Sequence, residues 1–239
     1  MPHGERTEKP VKSGGAALVS AAPNSVLLVY GAGSGLGKST LACALVQWME
    51  SRGLSTRLFS EECATEHPAF RAYVRQVQTG NAGDAATLLK CCDRFIAELL
   101  NSSADVVVLD SLLPCWDWLY SAGASDEVVA DFTDDLKALL SKLRPVLLLV
   151  EGDVDQALER AIEDRGIEWA LDLAERRAGQ RDRDSLQAYF QTLRAGTGRA
   201  MSRWNYPVVR VDTVVEGLES AVRRTSEELA KWLPSASSA

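Results

Sequence analysis

Between residues 25 and 40 the chain passes from an apolar run through four alternating glycines into Lys-Ser-Thr, and few folds accept such a segment. Residues 26–30 are apolar in the manner of a buried strand, and Leu41, Ala42, Leu45, Val46 and Met49 recur afterwards at helical spacing. The intervening residues 32–40 have the spacing of a phosphate-binding loop, with Ala32 where the strict pattern has Gly. Gly33, Gly35 and Gly37 let successive backbone N–H groups turn inward around phosphate oxygens, and the helix that follows adds the positive end of its dipole. Lys38 reaches the outer phosphates and Ser39 offers a hydroxyl to Mg²⁺, so the expected nucleotide-binding set is Gly33, Ser34, Gly35, Leu36, Gly37, Lys38, Ser39 and Thr40. A dinucleotide fingerprint fails on register, because Leu36 and Lys38 stand where its third glycine is required.

The 239 residues are enough for one sizeable core, and the expected organisation is a single domain over 25–233 with tails at 1–24 and 234–239. The Ala-rich stretch at 14–23 is too short and interrupted for a signal peptide and reads as a disordered tail. A net charge of −7 without a Lys/Arg-rich block argues against a nucleic-acid partner. Five cysteines without paired metal-ligand spacing give neither a disulfide framework nor a zinc site. No apolar run approaches the roughly 20 residues of a membrane span, so a soluble cytoplasmic protein is expected.

Downstream, 56–59 reads as a second strand, followed at once by Glu61 and Glu62 at the strand's carboxyl end, where open α/β sheets bind ligands. Residues 69–101 read as two helical pieces broken near 80–83. Residues 104–109 form a β-branched run closing on Asp110, a placement suited to holding Mg²⁺ through water. The aromatic stretch of Trp116, Trp118 and Tyr120 suits stacking on a flat substrate as well as it suits core packing. Ser125 caps a helix over 126–143, and 145–150 is a fourth strand. A helix over 154–164 then leads into an arginine-bearing segment. A further helix carries Leu186, Tyr189, Phe190 and Leu193, 207–211 is a fifth strand, and one amphipathic helix spans 214–232. Alternating strands and helices imply an α/β fold with a parallel sheet covered on both faces.

The loop at 32–40, the acids after the second strand, Asp110-Ser111 after the third and the arginines after the fourth together resemble the P-loop nucleoside and nucleotide kinase superfamily, especially its thymidylate kinase and deoxynucleoside kinase branch. That resemblance implies a three-layer P-loop NTPase fold with sheet order 2-3-1-4-5 and a lid between the fourth and fifth strands, here about 160–183. It implies ATP and Mg²⁺ as cofactors and transfer of the γ-phosphoryl group to a small-molecule acceptor, which is a nucleoside, nucleotide, sugar or natural product. By the same resemblance Glu61 or Glu62 is the base toward the acceptor, Arg160 and Arg165 are the lid candidates, and Lys38 and Arg165 supply charge to the transferring group. Those families carry Arg after the third-strand acid, and this chain carries Ser111.

Two other readings share the loop. One is a nucleotide hydrolase, although the Asn-Lys-x-Asp motif of guanine-specific switches is absent; the other is a nucleotide-binding regulatory module without kinase activity. The final helix suits a homodimer contact as well as packing on the sheet.

Overall fold

The computed structural model describes residues 25–79 and 83–234; the expected tail at 1–24, all but the first residue of the expected tail at 234–239, and most of the break near 80–83 lie outside the described residues. In chain order the elements are β1 (Ser25–Tyr30), α1 (Lys38–Ser51), β2 (Thr56–Phe59), α2 (Glu61–Glu66), α3 (Arg71–Gln78), α4 (Ala85–Leu99), β3 (Val106–Asp110), α5 (Trp116–Ser121), α6 (Asp126–Leu140), β4 (Pro145–Glu151), α7 (Val154–Arg165), α8 (Ile167–Ala178), α9 (Arg183–Met201), β5 (Val208–Asp212), α10 (Thr213–Glu216) and α11 (Leu218–Leu229).

The five strands form one parallel sheet in the order β2-β3-β1-β4-β5. Burial along the strands follows from that order. The central β1, β3 and β4 are covered on both faces and consist of nearly unbroken apolar residues, whereas the edge strands β2 and β5 carry exposed positions such as Arg57 and Arg210. Leu28 in β1 lies level with Leu109 in β3 and Leu147 in β4, so the carboxyl ends of the three central strands reach one edge together. That edge carries the phosphate loop, Asp110 and Glu151.

Two cores flank the sheet. On one face Phe70, Phe95, Trp116, Phe132 and Trp204 pack against Val26, Leu28 and Tyr30; on the other, Leu41, Leu45 and Met49 of α1 join Ala221 and Leu229 of α11 against Leu27 and Val29. A third, smaller cluster is made by α7, α8 and α9, and it includes Ala32 of the loop beside Val154, Leu158, Leu186 and Phe190. The segment expected to be a lid is thus helical and packs upon the loop itself.

One open alternative is decided here and one expectation is corrected. The aromatic stretch after β3 is a short helix, α5, and its rings pack inward: Trp116 is buried with its indole N–H donating to Thr133 Oγ1 at 2.9 Å, and Trp118 stacks on Tyr73 at 5.6 Å. The single terminal helix is two, because Gly217 at φ 72° breaks it and Asp212 caps the first piece through the N–H groups of Val214 and Val215.

The loop has no space to spare. A Cβ on Gly35, whose φ is 81°, would fall on the backbone carbonyl oxygen of Ala157 in α7, a rigid neighbour. Gly123 has a similar φ of 80° with nothing within 4 Å. Gly35→Ala is expected to cost about 2–4 kcal/mol, from overpacking plus backbone strain. Gly123→Ala should cost only the strain, about 1–2 kcal/mol. Urea unfolding of the two variants beside the parent protein checks the difference.

Candidate functional site

The glycine turn is built as the sequence requires. Gly33, Gly35 and Gly37 all have positive φ, at 121°, 81° and 75°, whereas Ala32 does not, so the one position that departs from the strict pattern is one where an L side chain is unstrained. Its methyl group instead fills the cluster beneath α7 and α9. Gly37 precedes the first turn of α1, and Lys38 opens that helix, its ammonium donating to the Gly33 carbonyl at 2.5 Å. From the far edge of the sheet the Thr213 hydroxyl donates to the Leu36 carbonyl and ties the loop to the start of α10.

Lys38 faces a cavity of about 100 Å³ whose wall includes Tyr30, Gly33, Ser34, Glu61, Ser111 and Asp117, with Arg177, Tyr189 and Phe190 closing it from α8 and α9. Burial lowers the Lys38 pKa, against the pull of Glu61, Asp110 and Asp117, while Arg165 acts in the same direction as burial. Tyr30 donates or accepts at 3.4 Å with Thr197 Oγ1, and burial pushes its hydroxyl well above the usual phenol range, so it stays neutral. Tyr189 hydrogen-bonds the Ser121 hydroxyl.

Among the residues singled out from the sequence, Gly33, Ser34, Lys38 and Glu61 line the cavity, while Leu36 is buried behind the loop. Ser39 and Thr40 are exposed on the first turn of α1. Glu61 and Glu62 open α2 and are both exposed, but only Glu61 lines the cavity. Asp110 is buried at the end of β3, where its Oδ1 accepts from the Ser111 hydroxyl at 3.2 Å. Arg160 and Arg165 are exposed and lie off the wall; the Arg165 guanidinium sits 4.9 Å from the Trp169 ring centroid and 3.8 Å from Asp164. Arg181 is held by Glu168, Asp172 and Glu175, and Arg183 by Glu159. Arg177 is the lid-segment arginine on the wall, one helical turn from Leu173, which also lines it.

Sequence reasoning missed Asp117. It sits between two tryptophans, in a stretch that reads as aromatic packing, yet α5 turns Trp116 into the core and brings Asp117 to the cavity. The loop delivering α5 holds Ser111 and Cys115 at φ 60° and 63°, costly for residues with side chains and found where surrounding structure enforces them. The available signal was one acid inside an otherwise apolar run. Burial, and then the neighbouring Glu61, raise the Asp117 carboxyl to about 6, with Lys38 and Arg177 opposing.

Among the described residues no group of three or more acidic, His or Cys side chains is placed for a metal. A hard octahedral ion such as Mg²⁺ needs only one or two protein oxygens beside phosphate and water; the exposed Ser39 hydroxyl and the buried Asp110 carboxylate are the oxygens that would serve it.

No family model matches the chain, and no curated protein matches it. Among solved structures it is similar to deoxyadenosine kinase from M. mycoides with bound dCTP, at 16% identity and a TM-score of 0.47, over 86% of this chain and 99% of that one. A likeness at that level says nothing of activity. The fold class rests on the chain's own strand order and loop, which are those of the three-layer P-loop α/β proteins expected from the sequence. No helix among the described residues is long and apolar enough to cross a membrane.

The Asp117 carboxyl gives a test of this electrostatic arrangement. Its folded-state value lies above the ordinary carboxylate range, so its contribution to stability is fully present below about pH 4 and is lost as the pH rises through about 6. Asp117→Asn is therefore expected to be more stable than the parent at pH 8 by roughly 2 kcal/mol, or about 5 °C in Tm, with the difference closing toward pH 4. Thermal melts of both proteins between pH 4 and 8 measure it.

Proposed function

We propose that this protein is an ATP-dependent kinase for a small molecule. The observation that carries the reading is that the phosphate-loop lysine and a carboxylate from the end of β2 share one cavity: Lys38 and Glu61 both line it. A hydrolase working on bulk water needs no enclosed acceptor space beside its phosphate loop. A kinase needs one, because water must be kept from the γ-phosphate.

In the reaction the acceptor oxygen forms a bond to the γ-phosphorus while the bond from that phosphorus to the β–γ bridging oxygen breaks. The N–H groups of the curled loop and the Lys38 ammonium hold the donor phosphates. Glu61 orients the acceptor hydroxyl and takes its proton, and Arg177, reaching in from α8, adds positive charge beside the group in transit. Ser39 and Asp110 would hold Mg²⁺, which when bound neutralises charge on the phosphate oxygens. The 160–183 segment acts as the lid, and Arg177 replaces Arg160 and Arg165 as the arginine facing the chemistry.

Purified protein with Mg·ATP is expected to release little ADP alone and much more with a competent acceptor; rapid release that no acceptor changes would replace this reading with a hydrolase. Lys38→Ala should lower turnover at least about 100-fold while the melting curve stays cooperative. Glu61→Gln should cost about 100-fold or more in kcat, and Glu62→Gln should leave kcat near the parent value. Equal losses at the two positions would remove Glu61 as the base.

A further inference from the structure

Asp117 has a carboxylate oxygen that no group among the described residues uses. Its Oδ1 is buried and accepts no hydrogen bond from them, while the side chain lines the cavity with Lys38 and Glu61. Buried carboxylate oxygens are almost always paired, so an unpaired one facing a cavity marks a place for a donor from outside the chain. The short helix that carries it is held by the buried Trp116, whose indole N–H is fixed on Thr133, and by the left-handed residues Ser111 and Cys115, so the backbone that presents the carboxylate is fixed in place.

Charge around the cavity indicates what that donor belongs to. On the kinase reading, on which this inference rests, Lys38 and Arg177 serve the donor phosphates. Glu61 and Asp117 then remain to face the acceptor. Ser111, on the same wall, brings no cation, and its hydroxyl is directed to Asp110. A phosphorylated acceptor would bring about two further negative charges against two carboxylates in a partly buried space, where repulsion is stronger than in bulk water.

We propose that Asp117 selects the acceptor: its Oδ1 receives a hydrogen bond from an amine or a second hydroxyl next to the reacting hydroxyl, so that the substrates are uncharged or cationic polyols and amino alcohols, and phosphorylated acceptors are rejected. Asp117 is a specificity-determining residue in this scheme, with the proton taken by Glu61.

The test uses the intact protein with Mg·ATP and matched probes: glucosamine against glucosamine 6-phosphate, deoxyadenosine against its 5′-monophosphate, and glycerol against glycerol phosphate. Acceptor-dependent ADP release is measured alongside calorimetric binding in the presence of a non-hydrolysable ATP analogue. The unphosphorylated member of at least one pair is expected to be preferred at least about tenfold in kcat/KM. Asp117→Asn should raise the KM for that member about tenfold, with a smaller change in kcat, because a charged acceptor of the hydrogen bond has been replaced by a neutral one. Preference for a phosphorylated member, binding of no member at all, or an Asp117→Asn variant with unchanged KM would each overturn the assignment. Binding of the ATP analogue alone separates the two levels: if it binds and the acceptor results fail, only the role of Asp117 falls; if it does not bind, the kinase reading falls as well.

Discussion

The structure depends on keeping a glycine-rich turn curled in a conformation that an ordinary chain avoids. Three residues with positive φ in five positions curl the backbone, and inside the turn the Lys38 ammonium on the Gly33 carbonyl is one bond set against the conformational entropy of fixing them. Further restraint comes from outside. Ala32 is held in an apolar cluster from α7 and α9, Gly35 lies against the Ala157 carbonyl, the Leu36 carbonyl accepts from Thr213, and Phe190 covers Gly33. The clamps come from α7, α9 and the start of α10, and all of them follow β4, so the loop is shaped by residues more than a hundred positions away.

This explains what was legible in the sequence. Strand runs such as 106–110 and the glycine spacing are local patterns, since a strand buried on both faces must be apolar along its whole length and a left-handed turn must use glycine. The strand order came with the motif resemblance and agrees with the pairing observed. Legibility stopped where a residue's role depends on which way a short element turns. Glu61 and Glu62 are indistinguishable by type and both exposed, and only the first turn of α2 puts one of them on the cavity wall and the other off it. Arg177 is likewise identical in kind to Arg165, Arg181 and Arg183, whose guanidinium groups meet nearby carboxylates.

Burial and charge oppose each other inside the cavity. Removing Lys38 from water disfavours its ammonium, and the acids around it partly restore the charged form; removing Asp117 from water disfavours its carboxylate, and Lys38 and Arg177 partly restore it. Neither group is stabilised by its own hydration, so each depends on the others. Such mutual dependence is destabilising for the fold alone, and a well-packed apolar filling of similar volume would serve stability better. Its retention next to a phosphate loop is intelligible as preorganised polarity whose cost is met by the packing of the surrounding cores.

The turn after β3 ties these observations together. An apolar strand buried on both faces must end somewhere, and here it ends on Asp110 with Ser111 and Cys115 forced into left-handed backbone conformations. A relaxed turn would let α5 start elsewhere; the strained one points Trp116 into the core and Asp117 toward Lys38. Trp116 stabilises the turn through its burial, its edge contact to Tyr30 at 5.3 Å and its bond to Thr133, which offsets the backbone strain. The same few residues that close the core on one side of the sheet therefore decide that the cavity wall presents a carboxylate near Ser111, which supplies no cation.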